Sequence, residues 1–290
     1  MTDQPLYLHA GAHRTGTSSF QLCLDRNRDW LEEQGYAVGY TSRDGLSRGD
    51  LALRLPAPRH RGQPLEPWIE RARTMLDGIA GDRPLIVSEE NLIGPMRPFM
   101  NGRFYPRAER RIKVLRKAWS GRFAHVLFVI RPYAALYMSQ YRKRAEDNYV
   151  DPFDEVRKHY LSMDRGWPEI IAAFRDLLRP EALTVLHYHK RGSSIALLSR
   201  LVPDLPAGLV EPEDRVNQSA TDAALLHLQE RYAKGEKLNR AEWQTVIANY
   251  AEDTASRGYA RFDEVETTQL DARYDQDVEQ IGKMDGVTLI

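Results

Sequence analysis

The stretch Leu6–Gln21, LYLHAGAHRTGTSSFQ, decides the fold. Leu6–Ala10 is an apolar run of strand length. Gly11 and Gly16 then bound a polar loop with four residues between them. From Thr17 onward apolar residues fall at Phe20, Cys23, Leu24, Trp30 and Leu31, the spacing of one helix face, and Gly35 supplies the stop. A buried strand that turns sharply into a helix is the repeating unit of a parallel sheet. Working outward, apolar runs at Leu85–Val87, His125–Ile130 and Leu183–Tyr188 read as further strands buried on both faces. Helical stretches separate or follow them: Ala108–Ser120, Pro132 through Leu136, Tyr137 and Tyr141, Pro168–Leu178, Ser193–Leu201, Thr221–Tyr232 and Ala241–Ala255. The expected fold is α/β, a doubly wound, mainly parallel sheet with flanking helices and a helical C-terminal third, with 1–290 as a single domain. Residues 42–67, rich in Arg, Pro and Gly, read as an excursion over the sheet edge or a lid. Pro203–Pro212, with three prolines, reads as a loop.

Bulk composition narrows the function classes. Of 290 residues, 42% are hydrophobic and 28% charged, ordinary values for a globular chain. Lys+Arg and Asp+Glu both number 41, and this balance argues against a nucleic-acid binder or a binder of anionic membranes. Any anion site must be local. The single cysteine, Cys23, rules out an internal disulfide and reads as a small buried hydrophobe on a helix. No apolar stretch approaches the roughly 20 residues that span a bilayer. The expectation is a cytoplasmic protein with no membrane span; oligomeric state is not legible.

The loop carries the chemistry. Two glycines four residues apart between strand and helix are the spacing of a P-loop, in which backbone N–H groups and a helix N-terminus cradle phosphate oxygens. A nucleotide-hydrolysing P-loop continues Gly-Lys-Ser/Thr, whereas Gly16 is followed by Thr17, and the cation stands earlier, as Arg14. The geometry favours an anion cradle, and the chemistry departs from standard ATP or GTP hydrolysis.

At these residues the chain resembles a known family. His13-Arg14-Thr15-Gly16-Thr17-Ser18 is similar to the 5′-phosphosulfate loop of sulfotransferases, usually Lys-Thr/Ser-Gly-Thr-Thr/Ser. Val129-Ile130-Arg131-Pro132 closes a strand ahead of a helix bearing Ser139-Gln140-Tyr141, and Arg131 and Ser139 match the family's Arg and Ser that bind the donor's 3′-phosphate. Val216-Asn217-Gln218-Ser219 and Ala272-Arg273-Tyr274-Asp275 also resemble bacterial members. The resemblance implies a sulfotransferase that takes a sulfuryl group from 3′-phosphoadenosine 5′-phosphosulfate (PAPS) and passes it to a hydroxyl of a small molecule or glycan, carbohydrate first. Donor-binding residues would be Arg14, Thr15, Gly16, Thr17, Ser18, Arg131 and Ser139. The departure is Arg14 in place of lysine: a permanent, forked cation that does not readily donate a proton to a leaving group.

Sulfuryl transfer, like phosphoryl transfer, needs positioning and charge stabilisation, and Arg14, the loop amides and the helix dipole would supply both without a metal. The acceptor needs a base. Ser88-Glu89-Glu90-Asn91 follows a strand at the edge where ligands bind in such sheets. Glu90 is the first candidate base by family resemblance, then Glu89, then His13. Plainer readings stand beside these. The glycines equally serve a structural turn, Arg131 a surface ion pair, and the two glutamates a solvated loop. His9 reads as a satisfied core histidine, and the basic run Arg103, Arg107, Arg110, Arg111, Lys113 as a solvated helix face or a guide for an anionic acceptor. The alternative functions are a P-loop kinase or ATPase, with Glu89 and Glu90 holding magnesium, and a nucleotide-binding protein whose catalysis has decayed through Arg14. Residues 42–67 and Phe99–Arg111 are the candidate acceptor walls.

Overall fold

Strand and helix alternate from the start of the chain. The computed structural model describes residues 3–42, 46, 48–212 and 219–290. In order, β1 (Pro5–His9) leads to α1 (Thr17–Arg26), α2 (Arg28–Glu33), β2 (Ala37–Tyr40), α3 (Glu66–Ala80) and β3 (Leu85–Ser88). Then come α4 (Ala108–Ala118), β4 (Arg122–Ile130), α5 (Tyr133–Asp147), α6 (Phe153–Leu161), α7 (Trp167–Leu178) and β5 (Ala182–His187). Helices α8 (Ser194–Leu201), α9 (Asp222–Ala233), α10 (Arg240–Asn249) and α11 (Glu264–Gly282) precede the two-residue β6 (Thr288–Leu289). The sheet runs β2-β3-β1-β4-β5-β6, and every pairing is parallel.

Both faces of this sheet are covered, which explains why its strands read as continuous apolar runs. Along β4 the side chains alternate. Val126, Phe128 and Ile130 join Leu6, Leu8, Leu85 and Val87 in a core shared with α3, α4, α5 and α7. Leu127 and Val129 join Ile86 and Leu186 in a second core shared with α1, α2 and α8. Burying a side chain of this size contributes about 1.5–3 kcal/mol, so the two layers hold the central strands firmly.

The strand order creates the site. From β1 the chain crosses to β2 and β3 on one side, and from β4 it proceeds to β5 and β6 on the other. The loops after β1 and β4 therefore diverge, leaving a crevice at the strands' carboxyl ends, where ligands bind in open α/β sheets.

Several expectations are corrected here. The first helix is two: Asn27 breaks it, its side-chain amide donating to Cys23 O at 2.8 Å and to Val210 O at 2.9 Å. Strands β2 and β6 and helices α3, α6 and α11 were not anticipated, and α10 stops at Asn249, short of Ala255. Of residues 42–67, 43–45 and 47 lie outside the described residues, as do Val216, Asn217 and Gln218. The remainder is no free lid, because Leu51, Leu53 and Leu55 alternate inward and are buried in the larger core. Among the described residues no helix is long and apolar enough to cross a membrane.

Candidate functional site

The loop between β1 and α1 is held in a shape that its residues explain. Gly16 stands ahead of α1 at φ 91°, and Arg14 also adopts a left-handed conformation, φ 67°. A β-carbon on Gly11 would lie 2.2 Å from Thr17 Oγ1, and one on Gly16 would lie 2.0 Å from a guanidinium nitrogen of Arg191. Gly11 is therefore required by contact and Gly16 by its backbone angle. The Thr15 hydroxyl turns inward and donates to Ala12 O at 2.6 Å, as Thr17 Oγ1 does at 3.2 Å. Among the described residues the amides of residues 13–17 donate to no backbone acceptor. A loop whose own side chains tie it down while its N–H groups stay uncommitted, at the start of a helix, has the geometry by which helix N-termini take anions.

Beneath it lies a buried polar layer. His9 Nδ1 pairs with Ser88 Oγ at 3.0 Å, and its ring packs on Phe20 with centroids 4.2 Å apart. Burial, aided by the nearby Arg191 charge, pushes His9 down to about 3. His9 is thus a neutral core histidine supporting the loop.

Three arginines converge above. Arg14 Nε donates to Ser139 Oγ at 2.8 Å. Arg131 donates through Nη1 to the Arg14 carbonyl at 2.8 Å, while its Nε is buried without a partner. Burial holds the Arg131 guanidinium below its ordinary value; Tyr188 opposes that shift and the neighbouring Arg14 reinforces it. Arg191 Nη1 reaches the Gly16 carbonyl at 3.5 Å. The Arg131 and Arg191 guanidinium carbons lie 4.8 and 5.4 Å from the Tyr188 ring centroid. These groups line a cleft of about 1250 Å³. Its lining carries five permanent cations, Arg14, Arg131, Lys143, Arg191 and Arg240, against three carboxylates. Each of those carboxylates has a partner: Glu146 has Lys143, Glu211 has the amides of Ser194 and Ile195, both at 2.8 Å, and Glu90 has His13.

Across the cleft, the chain after β3 sorts its two glutamates. Glu89 is 3% exposed and accepts from the Asn91 amide at 2.7 Å, near the buried Arg111. Glu90 lines the cleft, with an oxygen 3.7 Å from His13 Nδ1. His13 Nε2 pairs with Asn91 Oδ1 at 2.8 Å. Of the sequence-predicted set, Arg14, Gly16, Thr17, Ser18, Arg131, Ser139, His13 and Glu90 all line one cleft, whereas Thr15 and Glu89 are turned into the protein.

The predicted basic helix face is also corrected at Arg111. Its guanidinium is buried and donates to the carbonyls of Leu92, Pro56 and Asn91. Phe99, Phe104 and Tyr105 form no acceptor wall, being fully buried in a cluster of stacked and edge-on rings. Residues 272–275 lie on α11, where the Tyr274 hydroxyl pairs with His187 Nδ1 at 2.9 Å and Arg273 donates to Met163 O at 3.1 Å, contacts that fasten the helix. Sequence reasoning missed Arg191, Tyr188, Lys143 and the α10 residues Arg240, Trp243 and Gln244. A signal existed for two of these. Tyr188 and Arg191 directly follow a parallel strand, and so sit at the same sheet edge as the loop.

Among the described residues no group of three or more His, Cys, Asp or Glu side chains is arranged to hold a metal ion. No protein-family model matches the chain, and no curated protein matches it by sequence.

Proposed function

We propose that this protein is a sulfotransferase that uses PAPS as donor, built on a P-loop-like version of the parallel sheet. The observation that carries the reading is the buried, unpartnered Nε of Arg131, in a cluster of three arginines beside an uncommitted loop. An orphaned donor on a cation is costly unless an anion completes it. Two anionic ends of one ligand match this arrangement: one over residues 13–18, the other at Arg131 and Ser139.

The donor supplies an activated sulfuryl group whose leaving phosphate gains negative charge. Arg14, Arg191, the loop amides and the positive end of α1 face the place where that charge grows. Glu90 is the carboxylate positioned to accept a proton from an acceptor hydroxyl, with His13 beside it and Asn91 fixing the imidazole. Glu89 cannot share this role from its buried place, and its engagement with the Asn91 amide also weakens the magnesium-binding kinase alternative. The acceptor is a small molecule or a glycan.

Calorimetry with adenosine 3′,5′-bisphosphate in metal-free buffer, beside ATP with magnesium, tests the reading on wild type and Arg131→Ala. Micromolar binding of the bisphosphate that weakens tenfold to a hundredfold in the variant is expected, the range for loss of a charged hydrogen-bond partner, about 1.5–3 kcal/mol. Preference for ATP with magnesium, or binding of neither, overturns it.

A further inference from the structure

Three guanidinium groups in one cleft repel each other, and two of them, Arg131 and Arg191, come from different loops, after β4 and after β5. Each is long and flexible and, left to itself, would swing to solvent. What they share is a ring: Arg131 lies 4.8 Å and Arg191 5.4 Å from the centroid of Tyr188. Tyr188 opens a short 3-10 turn, Tyr188–Lys190, immediately after β5, and packs against the core of α1 and α8. Its backbone continues directly from the last residue of β5. The contacts that draw both cations in are made to the ring and not to the hydroxyl, and the electron-rich face of an aromatic ring attracts a guanidinium at such distances.

We propose that Tyr188 is a positioning residue that holds Arg131 and Arg191 in place before any ligand arrives, so that each anionic end of one ligand meets a cation already ordered. This rests on the reading of the cleft as a site for a phosphate- and sulfate-bearing nucleotide. Without the ring, each arginine would have to be ordered at the moment of binding, and that entropy would be subtracted from affinity. Among the described residues the Arg131 guanidinium has one hydrogen bond, to the Arg14 carbonyl at 2.8 Å, and that of Arg191 has one long contact, to the Gly16 carbonyl at 3.5 Å.

The test has a ligand-free arm and a ligand arm, run on wild type, Tyr188→Phe and Tyr188→Leu, with thermal melts to establish that all three fold. In the first arm, side-chain ¹⁵N relaxation of the two arginine Nε groups reports their order on the ps–ns scale. Order retained in Tyr188→Phe and lost in Tyr188→Leu is expected; order unchanged in Tyr188→Leu overturns the proposal whatever the ligand is. In the second arm, adenosine 3′,5′-bisphosphate binding should stay within twofold for Tyr188→Phe and fall at least tenfold for Tyr188→Leu. Equal loss in both variants overturns the proposal in favour of direct contact through the hydroxyl. A wild type that binds no bisphosphate defeats the nucleotide reading instead, and the relaxation arm still decides whether Tyr188 holds the two arginines. Should Tyr188→Leu fail to fold, Tyr188→Met replaces it, with the same expected losses.

Discussion

A single buried ring links the loop's shape to pH. His9 sits under Gly11, bonded to Ser88, and its folded-state value is pushed from 6.5 down to about 3 by burial first and by Arg191 second. The unfolded chain takes up a proton near pH 6.5 and the folded one does not, so the stability tied to neutral His9 is complete above about 6.5 and drains away as pH falls toward 3. Replacing the ring with another that can stack on Phe20 removes that proton linkage. His9→Phe is expected to be less stable than wild type at pH 7, because Ser88 loses its partner. The difference should then shrink by about 1.4 kcal/mol for each pH unit below about pH 6. Urea unfolding at pH 7 and pH 5 measures this. A gap that does not change with pH would mean that His9 titrates alike in both states.

At the scale of elements, the decisive junction is where the chain leaves β3. Arg111 of α4 is 6% exposed; two of its three backbone acceptors, Asn91 and Leu92, fasten the segment that follows Glu90, and the third, Pro56, ties in the chain before α3. Burial lowers its guanidinium to about 10, the nearby Glu89 offsetting part of that cost, so the cation remains charged at neutral pH. Arg111→Met keeps the volume but strands the three carbonyls and the buried Glu89 charge. It is expected to cost about 3–5 kcal/mol of stability, the range for breaking a buried ionic group, and to release Glu90 from the cleft. Chemical denaturation reads the first effect, and turnover at a temperature where the variant stays folded reads the second. A loss below about 1 kcal/mol would show the contacts to be incidental. The same junction shows what the sequence made legible. The β1 loop and the β4–α5 corner were readable because each is local: apolar run, turn residues, helix, with the cleft-lining side chain inside the motif. Strand β2 was not, being four residues with Gly39 in it, nor was β6, with two. Which of two adjacent glutamates faces the cleft depends on how the chain bends after Ser88, and spacing does not encode that. Arg111 reads as surface charge until its carbonyl partners, some from far along the chain, are known.

Over the whole molecule, charge is balanced at 41 against 41, yet the cleft gathers five cations. An anionic ligand of the proposed kind would therefore be drawn in by a short-range field, since the distant charges cancel. Much of the cleft's positive potential comes from groups that repel each other in the empty protein, held by Tyr188, Ser139 and the loop carbonyls. Two consequences follow from screening, which acts over about 10 Å at 0.1 M salt and about 3 Å at 1 M. Raising sodium chloride from 0.05 M to 0.5 M should weaken adenosine 3′,5′-bisphosphate binding by at least about tenfold, because each close charge pair is worth about 1 kcal/mol even in water. The melting temperature of the ligand-free protein should move little over the same range, since loss of its exposed ion pairs, worth about 0–1 kcal/mol each, is offset by relief of repulsion in the cleft. Titration calorimetry and melts across one salt series measure both. Binding indifferent to salt would mean that the ligand is held by its neutral parts and that the arginine cluster has another purpose. A ligand-free melting temperature that collapses with salt would place the charges' main work in folding.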